Sequence, residues 1–455
     1  MYIYVLKYFL GIPEPALSVY RADDSGPLSK AYPHSNVEPQ NRVDHIIHHQ
    51  YFRAYSGPGL DPTVKRFKHS LDRRIEGMHW DDNWTQEGNI ESLFQHVAAA
   101  SVIECIFGPA LLRLNPNFVQ DVWKFDDFVP WFPRAIPAFF MPESYRLRER
   151  LRGQLQRWYQ YARLHFQESD INEDGDGDAF WGSELMRERQ RTLRQVPHHD
   201  DYVLASMDMG FAWGTVGNTI PVSMLATIHV YKDPSLLERV RRSIAETLGQ
   251  RSLMDLDPRE LADIPLLSSI YTEVLRVYVN NYFVVSSPHQ DVELGQWRLP
   301  KGQIGLLNSN ISQMDKTFWN TKDGLYPVET FWADRFIIDP ADASSGPILP
   351  ALRKTSLRAE QSGDGKPYFS TEGIEGSWFP YGGGYSICPG RFLAKRAGVF
   401  TCAYLVHGYD VEVGQEEIHL DTCRFGLGIG ALKKPIPFRI RKRRLESEAA
   451  CVKTE

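Results

Sequence analysis

A chain of 455 residues with 42% hydrophobic and 24% charged residues has the composition of a folded globular protein, which argues against a disordered or fibrous one. Lysine and arginine number 51 against 57 aspartate and glutamate, and this formal charge of -6 gives no reason to expect a nucleic-acid partner. The five cysteines are odd in number and include no CxxC pair, which argues against a disulfide framework and a structural zinc site.

The predicted elements of the first half of the chain are helices. The apolar start, MYIYVLKYFLGIPEPAL, predicts a buried or interfacial helix, because it lacks the small-residue cleavage site of a signal peptide. No run in the sequence reaches the roughly 20 apolar residues that span a bilayer. A buried helix is predicted over residues 91–107, and a long amphipathic helix with a proline near its start over residues 142–167.

The second half adds a few strands to further helices. A long apolar segment covers residues 201–230, and separate helices are predicted over 232–249 and 265–277. Strand-like residues follow at 291–308, then an irregular region at 338–378, a helix from Pro389 and a C-terminal strand with a basic tail. This order, without a linker between domains, predicts a mainly α-helical protein with a small β component in a single domain over residues 1–455.

The stretch WFPYGGGYSICPGRFLA surrounds one cysteine, Cys388, with glycine and proline. Glycines permit unusual backbone angles and let a flat ligand approach the main chain, and Pro389 suits the first turn of a helix. A cysteine at a helix N-terminus is favoured as a thiolate, which is a good axial ligand for haem iron. The alternative is a buried structural cysteine in a glycine turn.

This stretch resembles the cysteine-ligand loop of the cytochrome P-450 superfamily, Phe-x-x-Gly-x-Arg-x-Cys-x-Gly. Gly384, Cys388 and Gly390 match that pattern, and Tyr381 replaces the phenylalanine. Ser386 replaces the basic residue that pairs with a haem propionate in the family. The resemblance implies that Cys388 is the iron ligand of haem b and that Gly384 and Tyr381 contact the cofactor.

Two further motifs occur in the order of the same family. Glu273 and Arg276 form its Glu-x-x-Arg, on one face of an apolar helix. Arg335 lies in FWADRF, and in the family this arginine completes a buried triad with the other two residues. The resemblance implies a structural role, because two guanidinium groups on one carboxylate offset the cost of burying it.

The long apolar segment departs from the family pattern. The family's oxygen-binding helix carries Ala/Gly-Gly-x-Asp/Glu-Thr, and the matching residues here place Gly217 at the acid and Asn218 at the threonine. GNTIP, with RFGLGIGALKKPIPF, resembles the branch of cholesterol 7-alpha-hydroxylase, sterol 12-alpha-hydroxylase and prostacyclin synthase. An amide donates and accepts hydrogen bonds, so Asn218 is expected to hold a water or a substrate oxygen, or alternatively to mark a helix kink beside Pro221.

His49 and Arg53 are spaced like the family's Trp-x-x-x-Arg, whose members reach the haem propionates. The resemblance implies that role here, although the histidines of DHIIHHQYFR equally fit a surface cluster.

The resemblance implies a haem-thiolate monooxygenase with the cytochrome P-450 fold. Its expected substrate is a hydrophobic small molecule, sterol- or terpenoid-like or an intermediate of secondary metabolism, and its expected electron source is NADPH through a separate reductase. One alternative is an isomerase or dehydratase that needs no reductase, and another is a truncated chain without activity. Members of the family usually have a membrane anchor and the first strands of a sheet before the region that starts here, so either this sequence is truncated or the chain is unusual. If an anchor precedes it, we expect attachment to the endoplasmic-reticulum membrane.

Overall fold

The computed structural model describes residues 2–287, 290–353, 365–424 and 426–444. The protein is 51% helical and carries small sheets, which confirms the predicted mainly α-helical class. The helices of the first half are α1 (Tyr2–Tyr4), α2 (Glu14–Ala22), α3 (Val43–Ser56), α4 (Leu60–Glu76), α5 (Ile90–Leu93), α6 (Ala99–Phe107), α7 (Pro109–Leu114), α8 (Phe118–Asp126) and α9 (Pro142–His165).

The second half contains eight further helices within the described residues. They are α10 (Glu184–Leu193), α11 (Asp201–Val216), α12 (Thr219–Lys232), α13 (Pro234–Leu248), α14 (Pro258–Asp263), α15 (Pro265–Tyr278), α16 (Ser309–Gln313) and α17 (Arg391–Gly408). Short π-helical turns follow α1 at Val5–Phe9 and connect α5 to α6 at Phe94–Ala98.

Local sequence explains where these helices begin and end. Pro142 and Pro234 occupy first turns, where a missing N–H leaves no partner unsatisfied. The carboxylate of Asp233 caps α13 by accepting hydrogen bonds from the N–H groups of Ser235 and Leu236. The predicted helix after the cysteine begins at Arg391 rather than at Pro389, because Pro389 and Gly390 still belong to the preceding turn.

The apolar segment predicted as one element over 201–230 is two helices. α11 ends at Val216 and α12 begins at Thr219, with Gly217 and Asn218 between them. α12 packs against α15 and α17, and its side chains from Ile220 to Ile228 are all buried. This helix therefore lies inside the main core and joins the elements that carry the predicted motifs.

The strands form four small antiparallel arrangements. They are β1 (Thr85–Glu87), β2 (Asn280–Val285), β3 (Val292–Leu294), β4 (Trp297–Leu299), β5 (Gly305–Asn308), β6 (Ile337–Ile338), β7 (Tyr368–Phe369), β8 (Tyr409–Val413), β9 (Leu427–Gly428) and β10 (Phe438–Lys442). Their orders are β1-β10-β8, β5-β2-β9, β3-β4 and β6-β7. β2 follows α15 directly, so the sheet containing β2, β5 and β9 lies beside the end of that helix.

One helical stretch, Ile90–Phe107, is long and apolar enough to cross a membrane by length and composition alone. Because 67% of it is buried inside the protein, it has the surroundings of a core helix, as the sequence predicts for residues 91–107.

Candidate active site

The loop before α17 holds Cys388 at the edge of a cavity. Gly382 and Gly384 adopt φ values of 76° and 61°, which side chains rarely tolerate, and these angles fold the loop back on itself. The Cys388 N–H donates to the carbonyl oxygen of Tyr381 at 2.9 Å and closes this turn. The Tyr381 hydroxyl in turn lies 2.9 Å from the hydroxyl of Tyr271 on α15. The loop is thereby attached to the helix that carries Glu-x-x-Arg.

Opposing effects act on the Cys388 thiol. Desolvation by the surrounding protein raises its pKa, while the backbone N–H groups of Gly390 and Arg391 and the Arg391 guanidinium lower it. The N–H groups at the start of α17 therefore favour the thiolate, as the sequence predicts, but desolvation by the neighbouring protein has the larger effect, although the Cys388 side chain is open to the cavity. A bound metal cation reverses this balance, because a coordinating thiol is deprotonated outright.

The cavity beside Cys388 has a volume of about 560 Å³. Its walls come from the N-terminal segment, α3, α6, α11, α12, α15, β2 and the cysteine loop with the start of α17. The lining is mostly aliphatic and aromatic, with side-chain amides and hydroxyls as its polar groups. Within the described residues it includes no lysine, arginine or histidine. It suits a large apolar occupant.

The residues around Cys388 fit a haem bound through sulfur. A Cβ placed on Gly383 or Gly384 would meet no atom within 4 Å, so the loop leaves open space there. A Cβ on Gly390 would lie 3.9 Å from the Cys388 sulfur. A thiolate beside an apolar cavity is a donor set that iron accepts, and the glycines leave room for a flat ring.

The break between α11 and α12 forms another wall of this cavity. Asn218 lines it, and its Oδ1 accepts a hydrogen bond of 3.0 Å from the N–H of Ile429. Gly217 lies against Trp213 and lines a separate small void, so the structure does not bring it to the Cys388 cavity. Thr219 lines the cavity directly after Asn218, and the family pattern gives no signal for this hydroxyl because it lies one residue after the position of the family's threonine.

The three motif residues Glu273, Arg276 and Arg335 meet at a fully buried site. Glu273 Oε2 accepts from Arg276 Nε at 2.7 Å, and Glu273 Oε1 accepts from Arg335 Nε at 2.9 Å. Arg276 also donates to the carbonyl oxygen of Gln313 at 2.8 Å, and the N–H of Trp332 donates to Glu273. The geometry joins α15, α16 and the loop before β6 in one network.

His49 and Arg53 lie away from the Cys388 cavity. The Arg53 guanidinium donates to both carboxylate oxygens of Glu184 on α10, at 3.2 and 2.9 Å. His49 and Arg53 line a different pocket beside α10, because their face of α3 turns from the cysteine loop. The propionate role predicted for these two residues is therefore at odds with this arrangement, in which the nearby carboxylate takes the cation.

The neighbouring residue His48 contacts the cysteine loop instead. Its Nε2 lies 3.1 Å from the carbonyl oxygen of Tyr385, while Ile47 and Tyr51 on the same helix line the cavity. His48 thus connects α3 to the cysteine loop. The sequence offered a weak signal for His48, because DHIIHHQYFR contains three histidines and the orientation of the helix decides which of them faces the cysteine loop.

Comparison with known proteins agrees with this geometry. The cytochrome P450 family model matches residues 35–336. Cytochrome P450 monooxygenase efuG of Hormonema carpetanum is 30% identical over 415 residues, covering 89% of this chain and 73% of the relative. Cytochrome P450 monooxygenase fsoE of Humicola fuscoatra is 28% identical, covering 91% and 74%. Cytochrome P450 7A1 of Oryctolagus cuniculus is 21% identical, covering 92% and 79%.

Solved structures show the same fold. The crystal structure of a cytochrome P450, CYP102L1, superimposes with a TM-score of 0.59, covering 94% of this chain and 84% of the other at 13% identity.

Replacing Glu273 by Gln should strongly destabilise the protein. The change removes the charge that compensates two buried guanidinium groups, and breaking such a buried pair costs about 3–5 kcal/mol. Denaturant unfolding followed by circular dichroism measures this loss. The control is Glu329→Gln, since Glu329 forms an exposed ion pair with Lys316 and should cost about 0–1 kcal/mol. Equal stability of the two variants would contradict the proposed structural role of the triad.

Proposed function

Because the chain belongs to the cytochrome P450 family, we propose that it is a haem-thiolate monooxygenase that inserts one oxygen atom into a hydrophobic small molecule. The observation that carries the proposal is the apolar cavity of about 560 Å³, which is lined both by the Cys388 loop and by the break between α11 and α12. Haem bound here supplies the activation of dioxygen. Cys388 would hold its iron, and the imidazole of His48, whose Nε2 lies 3.1 Å from the carbonyl oxygen of Tyr385, stands where it would reach a haem carboxylate.

The substrate class follows from the cavity and the relatives. Its aliphatic and aromatic lining favours a sterol- or terpenoid-like molecule, because burying apolar surface contributes about 25 cal/mol per Å². The two fungal relatives are named monooxygenases, in line with oxidation of an intermediate of secondary metabolism.

Monooxygenation needs electrons from outside the chain. One substrate, one dioxygen, two electrons and two protons give the hydroxylated product and one water. We assign the electrons to NADPH by way of a cytochrome P-450 reductase. Attachment to the endoplasmic-reticulum membrane stays a prediction.

Asn218 has a defined orientation in this proposal. A backbone N–H only donates, so the amide atom facing Ile429 must be the oxygen, and the Nδ2 amino group remains as the donor of a residue lining the cavity. Among the described residues, Nδ2 has no acceptor within hydrogen-bonding distance. Asn218 therefore donates to a substrate oxygen or to a water, and Thr219 supplies a hydroxyl beside it.

One observation favours the isomerase alternative. The acid and alcohol of the family pattern are Gly217 and Asn218 here, and rearranging an O–O bond already present in the substrate requires no proton delivery. The monooxygenase proposal has the stronger support, since the fungal relatives carry that name. The occupied triad and the open cavity support a catalytic chain over the inactive alternative.

Cys388→Ala should abolish the thiolate-type absorption of the reduced carbon-monoxide complex, because alanine offers no ligand to iron. The measurement is the difference spectrum of purified, haem-reconstituted protein. Cys423→Ala is the matched control, since Cys423 is exposed, belongs to another loop and should leave the spectrum unchanged. An unaltered spectrum in the Cys388 variant would place the ligand elsewhere.

Turnover under ¹⁸O₂ should place one labelled atom in the product and should require NADPH and reductase. Mass spectrometry of the product with and without NADPH measures both. Full turnover of a peroxide substrate without NADPH and without label would instead establish the isomerase.

Asn218→Asp and Asn218→Ala separate the two functions of this amide. Aspartate keeps an acceptor for the Ile429 N–H but loses the donor, whereas alanine loses both. We expect both variants to lower the ratio of product formed to NADPH consumed about tenfold, which corresponds to about 1.4 kcal/mol. Only the alanine variant should also lower the melting temperature. Wild-type coupling in the aspartate variant would contradict the donor role.

A further inference from the structure

The N-terminal segment from Val5 to Gly11, here called the N-terminal wall, forms part of the Cys388 cavity. Val5, Leu6, Phe9 and Leu10 all line the cavity. The segment is a single wide helical turn, and its last carbonyl groups have no following turn to pair with. Unsatisfied buried carbonyls are costly, so the position of this wall depends on what pairs with them.

Two buried arginines of α9 donate to those carbonyls. Arg148 Nη1 donates to the carbonyl oxygen of Tyr8 at 3.0 Å and lies 3.5 Å from that of Phe9. Arg152 Nη2 donates to the carbonyl oxygens of Leu10 at 2.5 Å and Gly11 at 3.3 Å. Four consecutive carbonyls are thus paired by two guanidinium groups from one face of one helix.

The guanidinium groups are themselves held in place from the other side. Arg148 stacks on the ring of Tyr145 at 4.6 Å, and Arg152 stacks on the ring of Tyr202 at 4.5 Å and donates to its hydroxyl at 2.6 Å. Glu149 also accepts from Arg152. Cation–π contacts and one carboxylate leave little freedom for either side chain.

Gly11 is shaped to receive them. Its φ is 65°, and a Cβ there would stand 2.4 Å from Arg152 Nη2 and 2.7 Å from Arg148 Cζ. No other residue allows both that backbone conformation and that approach.

We infer that Arg148 and Arg152 are positioning residues that hold the N-terminal wall against the cavity and thereby select bulky hydrophobic ligands over small ones. This inference rests on the proposed function, since it takes the Cys388 cavity as the ligand site. Arginine is suited to the task because its several donors reach two carbonyls at once, while lysine offers one compact ammonium group.

The test compares two azoles that bind the haem iron of the loaded enzyme, imidazole as the small probe and ketoconazole as the bulky one. Optical titration gives their dissociation constants. In Arg148→Met and Arg152→Met, ketoconazole should bind about tenfold more weakly, because apolar contacts with the displaced wall are lost, and imidazole should bind as in the wild type. Arg146→Met is the control, since the exposed Arg146, among the described residues, bonds only to the carbonyl oxygen of Pro142 in its own helix.

Equal weakening of both azoles, or no change in ketoconazole binding, would overturn the inference. Failure of the wild type to give an azole spectrum would instead count against the proposed function. The role of the two arginines in holding the N-terminal wall is then tested by a second measurement. Hydrogen–deuterium exchange of residues 2–12 needs no haem. Exchange should be about tenfold faster in Arg152→Lys and Gly11→Ala than in wild type and Arg146→Met. Unchanged exchange in those variants would overturn the inference as well.

Discussion

The arrangement around Cys388 depends on the buried ion pairs that the carboxylate of Glu273 forms with Arg276 and Arg335. This carboxylate holds two guanidinium groups, both completely shielded from water, and it also accepts the N–H of Trp332. Burial lowers the pKa of the Arg335 guanidinium, while Glu273 raises it. A buried charge is tolerated only when all of its partners are present. The network of Glu273 therefore fixes α15, α16 and the loop before β6 in one arrangement. The same helix positions Tyr271, which reaches the cysteine loop.

The cavity is the second consequence of this arrangement. α12 packs against both α15 and α17, and its break from α11 leaves Asn218 outside the regular helical pattern. The amide then bonds to Ile429, which follows β9, so the C-terminal region contacts the break between α11 and α12. Gly428 adjoins this amide so closely that a Cβ would meet its oxygen at 2.1 Å. Gly428 of the GLGIG stretch is therefore explained by the close approach of its backbone to an amide that lines the Cys388 cavity.

Charge is distributed around the cavity rather than inside it. The described lining is apolar with a few amides and hydroxyls. The arginines of α9 donate hydrogen bonds to the carbonyls of the N-terminal wall, and Arg53 pairs with Glu184 away from the cavity. This separation suits a site for hydrophobic substrates, because an unpaired charge in such a space would be strongly disfavoured. His48 of α3 lies at the boundary with the cysteine loop, where its Nε2 is 3.1 Å from the carbonyl oxygen of Tyr385.

The sequence by itself determined the mainly helical class, the cysteine loop and the Glu273–Arg276 pair, because these features depend on local spacing. Arg335 lies 62 residues from Glu273, and only the resemblance to the cytochrome P-450 family pointed to it. Glycines before a cysteine, and a glutamate three residues from an arginine on one helix face, carry their geometry in the chain itself. The tertiary structure decided which face of α3 meets the cysteine loop, so that His48 contacts the loop while His49 and Arg53 lie beside α10. It also decided that the apolar segment breaks at Gly217, and that the arginines of α9 reach the N-terminal wall. Such outcomes depend on partners more than a hundred residues away, and no periodicity within a single segment records them.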